Sequence, residues 1–263
     1  MNNKSVQKNI SLCILTKNES ENIKKNFGWL KDCSKINELI CVDDNSNDDT
    51  IEQIKKLQSK NLTVKVFKRG LNNNFSAQRQ FGVDQAANDY ILWLDPDEQP
   101  SNNLIEWLNN IDTNQYNYSF KRLDNFLGTN LYHGETFSQY FLRLFNKNSG
   151  HFYGLVHERW ISLKPTTQTD FIIYHQSHST IKGFLNKINF YSDIRAQELK
   201  DLGKSAGLLE IILYPKAKFI YNYFILLGLL DGTPGLIFAL GMSFQSFLSR
   251  AKLWHLSSTP STG

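Results

Sequence analysis

No glycine-rich phosphate cradle marks this chain: G-x-G-x-x-G does not follow the first apolar run, and G-x-x-x-x-G-K-[ST] is missing altogether. That argues against a dinucleotide oxidoreductase and against a P-loop enzyme. A strong charge of one sign is lacking too. With 29 Lys and Arg against 25 Asp and Glu, the net +4 is too mild to argue for a nucleic-acid partner. Cysteine is scarce, and Cys13, Cys33 and Cys41 form no metal-ligand spacing. Cys13 and Cys41 sit inside apolar runs, so a reducing cytoplasm fits better than secretion. The opening "MNNKSVQKN" has no apolar signal region. No apolar stretch reaches the roughly 20 residues that span a bilayer.

Aromatic residues, at 13%, are plentiful, and many lie in the second half. They could serve a sugar platform, a membrane interface or a core, and the core is the default for any one of them. The first half alternates short apolar runs, "ISLCIL", "ELICV", "LTVKVF" and "YILWL", with segments of helical period such as "ENIKKNFGWLKD" and "DDTIEQIKKLQ". This β-α-β-α-β-α-β order predicts an α/β fold, a mostly parallel Rossmann-like sheet with helices on both faces. Beyond Pro100 we read a helix at 102–110, strands in "YNYSFKRL", "QYFLRLFN" and "DFIIYH", and a helix from Ile181. The expected organisation is a catalytic domain over 1–180, a helical and apolar region over 181–256, and a disordered polar tail over 257–263.

Three strand ends are chemically loaded: "ILTKNE", "VDDNSND" and "LDPDE". In open parallel sheets, ligands gather beyond the carboxyl ends of the strands. The pair Asp95 and Asp97, stiffened by Pro96, repel one another unless something positive lies between them. A divalent cation, Mg2+ or Mn2+, shared with substrate phosphates is the usual answer. A single such turn would be read as a solvated helix cap. Three on one edge favour a site for a nucleotide and a cation.

The strings "ISLCILTKNESENI", "VDDNSNDDT", "FSAQRQFG" and "LDPDE" resemble, in order and spacing, the inverting glycosyltransferases of family 2, which have the GT-A fold. "GLVHERW" and "DGTPGLIFALGMSFQSFLSRAKLWHL" extend the resemblance toward the lipopolysaccharide-core glucosyltransferases. The resemblance implies a UDP-linked sugar donor and a divalent metal. It places Thr16, Asn18 and Glu19 around the nucleotide, and Asp44 with Asp43 against the uracil. Arg79 falls near the base or diphosphate, Asp95 near ribose and metal, and Asp97 on the metal. For Arg79, an ordinary surface helix arginine is an equal reading.

Transfer with inversion needs a base to take the proton of the attacking hydroxyl. "GLVHERW" offers Glu158 for that role and His157 as a metal or phosphate contact; a local Glu158–Arg159 ion pair is the plain alternative. His133 and Glu135 in "YHGE" are candidates for the acceptor, or solubilising residues at a hairpin tip. His175 and His178 have a spacing that suits one side of a helix start, where one could meet metal or diphosphate. The apolar stretches 219–230 and 236–248, separated by "DGTPG" and flanked by Lys216, Lys218, Arg250 and Lys252, read as a helical hairpin. Its composition suits a membrane interface, with a buried hairpin or a homodimer surface as alternatives. The combined expectation is a glycosyltransferase acting on a cell-envelope glycan or glycolipid at the inner face of the cytoplasmic membrane. A nucleotidyltransferase and a non-catalytic nucleotide-sugar binder are the rival classes.

Overall fold

Successive residues of a strand face opposite ways, so a strand covered on both sides must be apolar throughout. The computed structural model describes residues 9–72, 74–112, 116–154 and 159–258. It runs β1 (Ile10–Thr16), α1 (Ser20–Asn26), β2 (Ile36–Asp43), α2 (Thr50–Lys55), β3 (Thr63–Lys68), α3 (Phe75–Gln85) and β4 (Tyr90–Trp93), in the expected order. Leu12, Ile14, Leu39, Cys41 and Leu92 pack with Ile23, Phe27 and Ile54 from the α1 and α2 side. Their neighbours Cys13, Ile40, Val42, Ile91 and Trp93 pack with Val83 of α3 and with Ala86. Helices therefore cover both faces, as the uninterrupted apolar runs require. Burial pushes the Cys33 thiol up to about 11 and that of Cys41 to about 12, so these cysteines are core residues without reactivity.

The chain continues through β5 (Glu98–Pro100), α4 (Asn102–Asn110), β6 (Asn117–Phe126), β7 (Thr129–Leu131), β8 (Tyr140–Asn146), β9 (Gly150–Tyr153), β10 (Arg159–Ser162) and β11 (Thr166–His178). The sheet order is β3-β2-β1-β4-β8-β6-β11-β5. Its first four strands are parallel. β8 then opposes both β4 and β6, and β5 opposes β11. β9 and β10 form a separate hairpin.

Two compact units result: Met1–Arg122 with Tyr140–His175, and Leu123–Gln139 with Gln176–Gly263. The second holds the end of β6 paired with β7, then α5 (Ile181–Asp201), α6 (Leu208–Ile220), a π turn Tyr221–Ile225, a 3-10 turn Gly228–Asp231 and α7 (Gly232–Ser258). Phe126, Leu131, Phe184, Ile188 and Phe238 form its main core. The apolar stretches do form consecutive helices, bent by 72°. The break lies in the turns before Asp231, whereas "DGTPG" opens α7, with Pro234 in the first turn where no hydrogen bond is lost.

One local expectation needs correction. His175 and His178 belong to β11, not to a helix start, because α5 begins only at Ile181 behind the cap Thr180, whose Oγ1 accepts from Gly183 N at 3.1 Å. Three residues apart on a strand, the two imidazoles point to opposite faces. The tail beyond Ser258, and the "LVHE" segment with His157 and Glu158, lie outside the described residues.

Candidate active site

Because β1, β2 and β4 are parallel and adjacent, their C-terminal ends share one edge of the first unit. At the ends of β1 and β2 a polar lattice closes. Asp43 is fully buried and accepts from Thr16 Oγ1 at 2.9 Å and from Ser46 N at 2.8 Å. Asp44 faces outward, where Lys17 Nζ donates at 2.7 Å and Leu71 N at 2.8 Å. Burial alone would raise the Asp44 carboxyl, but these donors hold it below its ordinary range. The backbone turns sharply at Asn18 and Asn45, with φ of 57° and 55°, a conformation asparagine tolerates better than most residues. Asn18 Oδ1 accepts from Asn47 N at 2.9 Å, and Asn18 N donates to Ser46 Oγ at 2.9 Å. Glu19 accepts from Asn22 Nδ2 at 2.6 Å, and its own N–H donates to Thr50 Oγ1 at 2.7 Å. Thr16, Asn18, Glu19, Asp43 and Asp44 are thus brought together, with Asp43 and Thr16 bracing the turn and Asp44 at its surface.

The three acids after β4 divide their tasks. Glu98 has no exposure at all; its carboxylate accepts from Asp95 N at 3.1 Å and from Arg143 at 2.6 Å, with Arg122 4.0 Å away. Arg143 comes from β8, which passes Leu92 with Leu144 opposite it and so delivers the next residue to the point where β4 ends. The same guanidinium donates to Asp95 Oδ2 at 3.0 Å, and Arg79 donates to Asp95 Oδ1 at 3.2 Å. Arg79 reaches this carboxylate from α3, lying over the Trp93 ring at 4.9 Å. Gly82 permits the close approach: a Cβ there would lie 3.1 Å from Val42 Cγ2 and 3.3 Å from Trp93. Burial opposes ionisation of Asp95, but Arg143 first and then Arg79 outweigh it and hold the carboxyl well below the usual carboxylate range.

Asp97 is different. Its side chain is 24% exposed, and Oδ2 lies 3.3 Å from His175 Nε2. The antiparallel pairing of β5 with β11 sets His175 opposite Glu98 and hence beside this turn. Among the described residues no group of three or more His, Cys, Asp or Glu is placed to hold a metal, so a closed all-protein cage is not what this turn offers. One accessible carboxylate beside one imidazole suits a hard cation that takes its remaining ligands from phosphate and water. The residues fit Mg2+ or Mn2+ in that sense.

His133 and Glu135 lie in the second unit and are engaged locally. Asp231 accepts from Tyr132 N at 3.1 Å and His133 N at 2.9 Å and lies 2.9 Å from His133 Nδ1, while Glu135 pairs with Lys218 and lies 3.4 Å from Asn222 Nδ2. His178 packs against Phe184 with ring centroids 4.9 Å apart, a core role. Arg143 and Arg122 escaped the sequence reading, although an arginine amid the apolar "YFLRLFN" was a signal, since a buried charge demands a partner.

The model of the glycosyl transferase family 2 matches residues 11–183. Uncharacterized glycosyltransferases of Rickettsia typhi and Rickettsia prowazekii are each 29% identical to this chain over 95% of its length and 88% of theirs. Among solved structures, a mannosyltransferase from Pyrobaculum calidifontis in complex with GDP-Man and Mn2+ shares the fold, with TM-score 0.57, 11% identity and coverage of 95% and 88%. With nearly two thirds of its length matched by that model and its sheet built as the GT-A fold, the chain belongs to glycosyl transferase family 2 and is a glycosyltransferase.

Proposed function

We propose that the chain is an inverting, metal-dependent hexosyltransferase that moves a sugar from a UDP-linked donor to a hydroxyl of a cell-envelope glycan or glycolipid, such as the lipopolysaccharide core. It would do so at the cytoplasmic face of the cytoplasmic membrane. The observation that carries the reading is the division of labour after β4. Asp95 is neutralised by Arg79 and Arg143, while Asp97 stays accessible beside His175. Asp97 with His175 would hold the cation, which when bound neutralises the charge that develops on the departing diphosphate. The Mn2+ in the Pyrobaculum mannosyltransferase supports that choice of cofactor.

The chain's own residues do the rest. Asp44 accepts from the base, and Thr16, Asn18, Glu19 and the buried Asp43 fix the turn that presents it. Arg79 and Asp95 border the position of the ribose and diphosphate. Glu158 takes the acceptor hydroxyl proton as its oxygen bonds to the anomeric carbon and the bond from that carbon to the diphosphate breaks. His157 contacts phosphate or metal. Since the acceptor attacks opposite the leaving group, configuration inverts.

Calorimetry on the full chain with UDP and GDP, each with and without Mn2+, tests the donor half. UDP binding that requires Mn2+ is expected, and no UDP binding in either condition would remove a UDP donor. Glu158→Gln is expected to retain that binding while losing at least about a hundredfold in transfer rate. Equal turnover by variant and wild type would take Glu158 out of the mechanism. Release of pyrophosphate in place of UDP would favour a nucleotidyltransferase.

A further inference from the structure

The second unit has a surface at odds with water. α6 contains no buried residue, although its sequence "LLEIILYPKAKFI" is mainly apolar. Leu209, Leu213 and Ile220 recur at helical spacing with exposures of 69%, 54% and 51%, and Lys216, seven residues after Leu209, shares their face with a stem long enough to carry its ammonium out to a polar boundary. Phe224, in the π turn, extends the row at 52%. A helix on the surface of a soluble domain turns polar residues outward. Of the charges in α6, Lys218 is turned inward to Glu135.

The turn that follows is apolar as well. Ile225 is 64% exposed, Leu227 47% and Leu230 60%. Connections of this kind are usually Gly, Asn, Asp or Ser. Gly228 is dictated by the backbone, because a Cβ would lie 2.7 Å from the Asn222 carbonyl oxygen. Leu227 is not dictated in that way. It has a φ of 57°, a left-handed conformation that a bulky side chain disfavours and asparagine or glycine would relieve. Among the described residues Leu227 joins none of the buried apolar clusters.

Charge narrows what lies outside. Residues 181–258 contain nine Lys and Arg and five Asp and Glu, so this stretch carries the whole net +4 of the chain. Asp231 is occupied with His133 and the backbone beside it. Arg250 lies 4.2 Å from the centre of the half-exposed Tyr214 ring, and Trp254 is exposed. Apolar rows bordered by basic and aromatic side chains match the headgroup boundary of an anionic bilayer. Leu208–Asp231 itself carries two Lys against one Glu and one Asp, so the positive charge at this face comes from Arg250 of α7, beside Tyr214. Among the described residues no single helix is long and apolar enough to cross a membrane.

We propose that α6 and the turn Tyr221–Asp231 lie in one leaflet of an anionic lipid bilayer, with the apolar row and the Ile225–Leu230 tip in the acyl boundary and Lys216 and Arg250 among the headgroups. This deepens the proposed reaction by stating how the enzyme meets a lipid-linked acceptor. Its test measures lipid binding alone, so either reading can fail without the other.

The full chain is sedimented with phosphatidylcholine vesicles, with and without phosphatidylglycerol, beside the variant Ile225→Glu with Leu230→Glu. Both positions are well exposed, so the thermal midpoint should hold. Wild type is expected to co-sediment with the phosphatidylglycerol vesicles, and the double variant to lose about tenfold or more in bound fraction. Lys216→Glu is expected to weaken only the preference for the anionic lipid. Wild type left in the supernatant of both vesicle types, or a double variant that binds as wild type does, overturns the proposal. A vesicle-blind dimer dissociated by the double variant would overturn it too, and would place a second copy on this face.

Discussion

Asp97→Asn is expected to abolish Mn2+-dependent UDP binding and to lower transfer by about a hundredfold or more, the scale of losing one preorganised electrostatic group. The substitution keeps the size of the side chain and removes only its charge. Because the carboxylate is partly accessible and braces no backbone group among the described residues, stability should move by no more than about 0.5 kcal/mol. Calorimetry, a transfer assay and a melting curve on one preparation separate these effects. His175→Ala should weaken metal dependence in the same direction, since its imidazole lies beside the same carboxylate oxygen. If Asp97→Asn binds UDP with undiminished Mn2+ dependence, the cation is held elsewhere and the division of tasks after β4 must be redrawn.

The second large effect concerns stability. Arg143→Met removes the cation that neutralises both Glu98 and Asp95, leaving Glu98 buried with Arg122 no nearer than 4.0 Å. Breaking a buried pair by removing one partner costs about 3–5 kcal/mol. For a chain of this size the melting midpoint should fall by roughly 10 °C. Adding Glu98→Gln to Arg143→Met should restore part of the loss, because the stranded charge is then gone. A loss below about 1 kcal/mol, the worth of an exposed pair, would mean that water reaches the network.

Acid gives an independent reading of the same network. Asp95 titrates below its unfolded value of about 3.9, so it contributes stability above that pH and loses it as the pH falls toward the folded value. Wild type should therefore lose melting temperature steeply below about pH 4, and Arg143→Met should show a shallower slope there.

The parallel half of the fold was legible because β1, β2 and β4 announce themselves: apolar residues on both faces, then acids or asparagine where the strand ends. Parallel pairing alone then gathers Thr16, Asp43 and Asp95 on one edge. What the sequence hides is which acid has a partner. Asp95 and Asp97 look alike in "LDPDE", yet their environments differ because Arg143 arrives 48 residues after Asp95 and Arg79 precedes it by 16. Likewise "YHGE" reads as a polar tip until Asp231 and Lys218, 98 and 83 residues further on, supply its partners. Periodicity also misassigned the phase of His175 and His178, since two polar residues at a spacing of three suit a helix and a strand end equally. The missing information was long-range pairing.

The Glu98–Arg143 pair has a consequence for how the protein is made. Glu98 leaves the ribosome 45 residues before its counter-charge. At translation rates of about 5–20 residues per second that interval is roughly two to nine seconds. Until β8 arrives, burying Glu98 would trap an uncompensated carboxylate, and the edge of β4 that β8 later pairs stays open to water. The apolar edge of β4 is then unpaired for the same interval. The parallel half accordingly cannot close its β4 edge by itself, and burial of Glu98 follows the arrival of the arginine that later steadies Asp95.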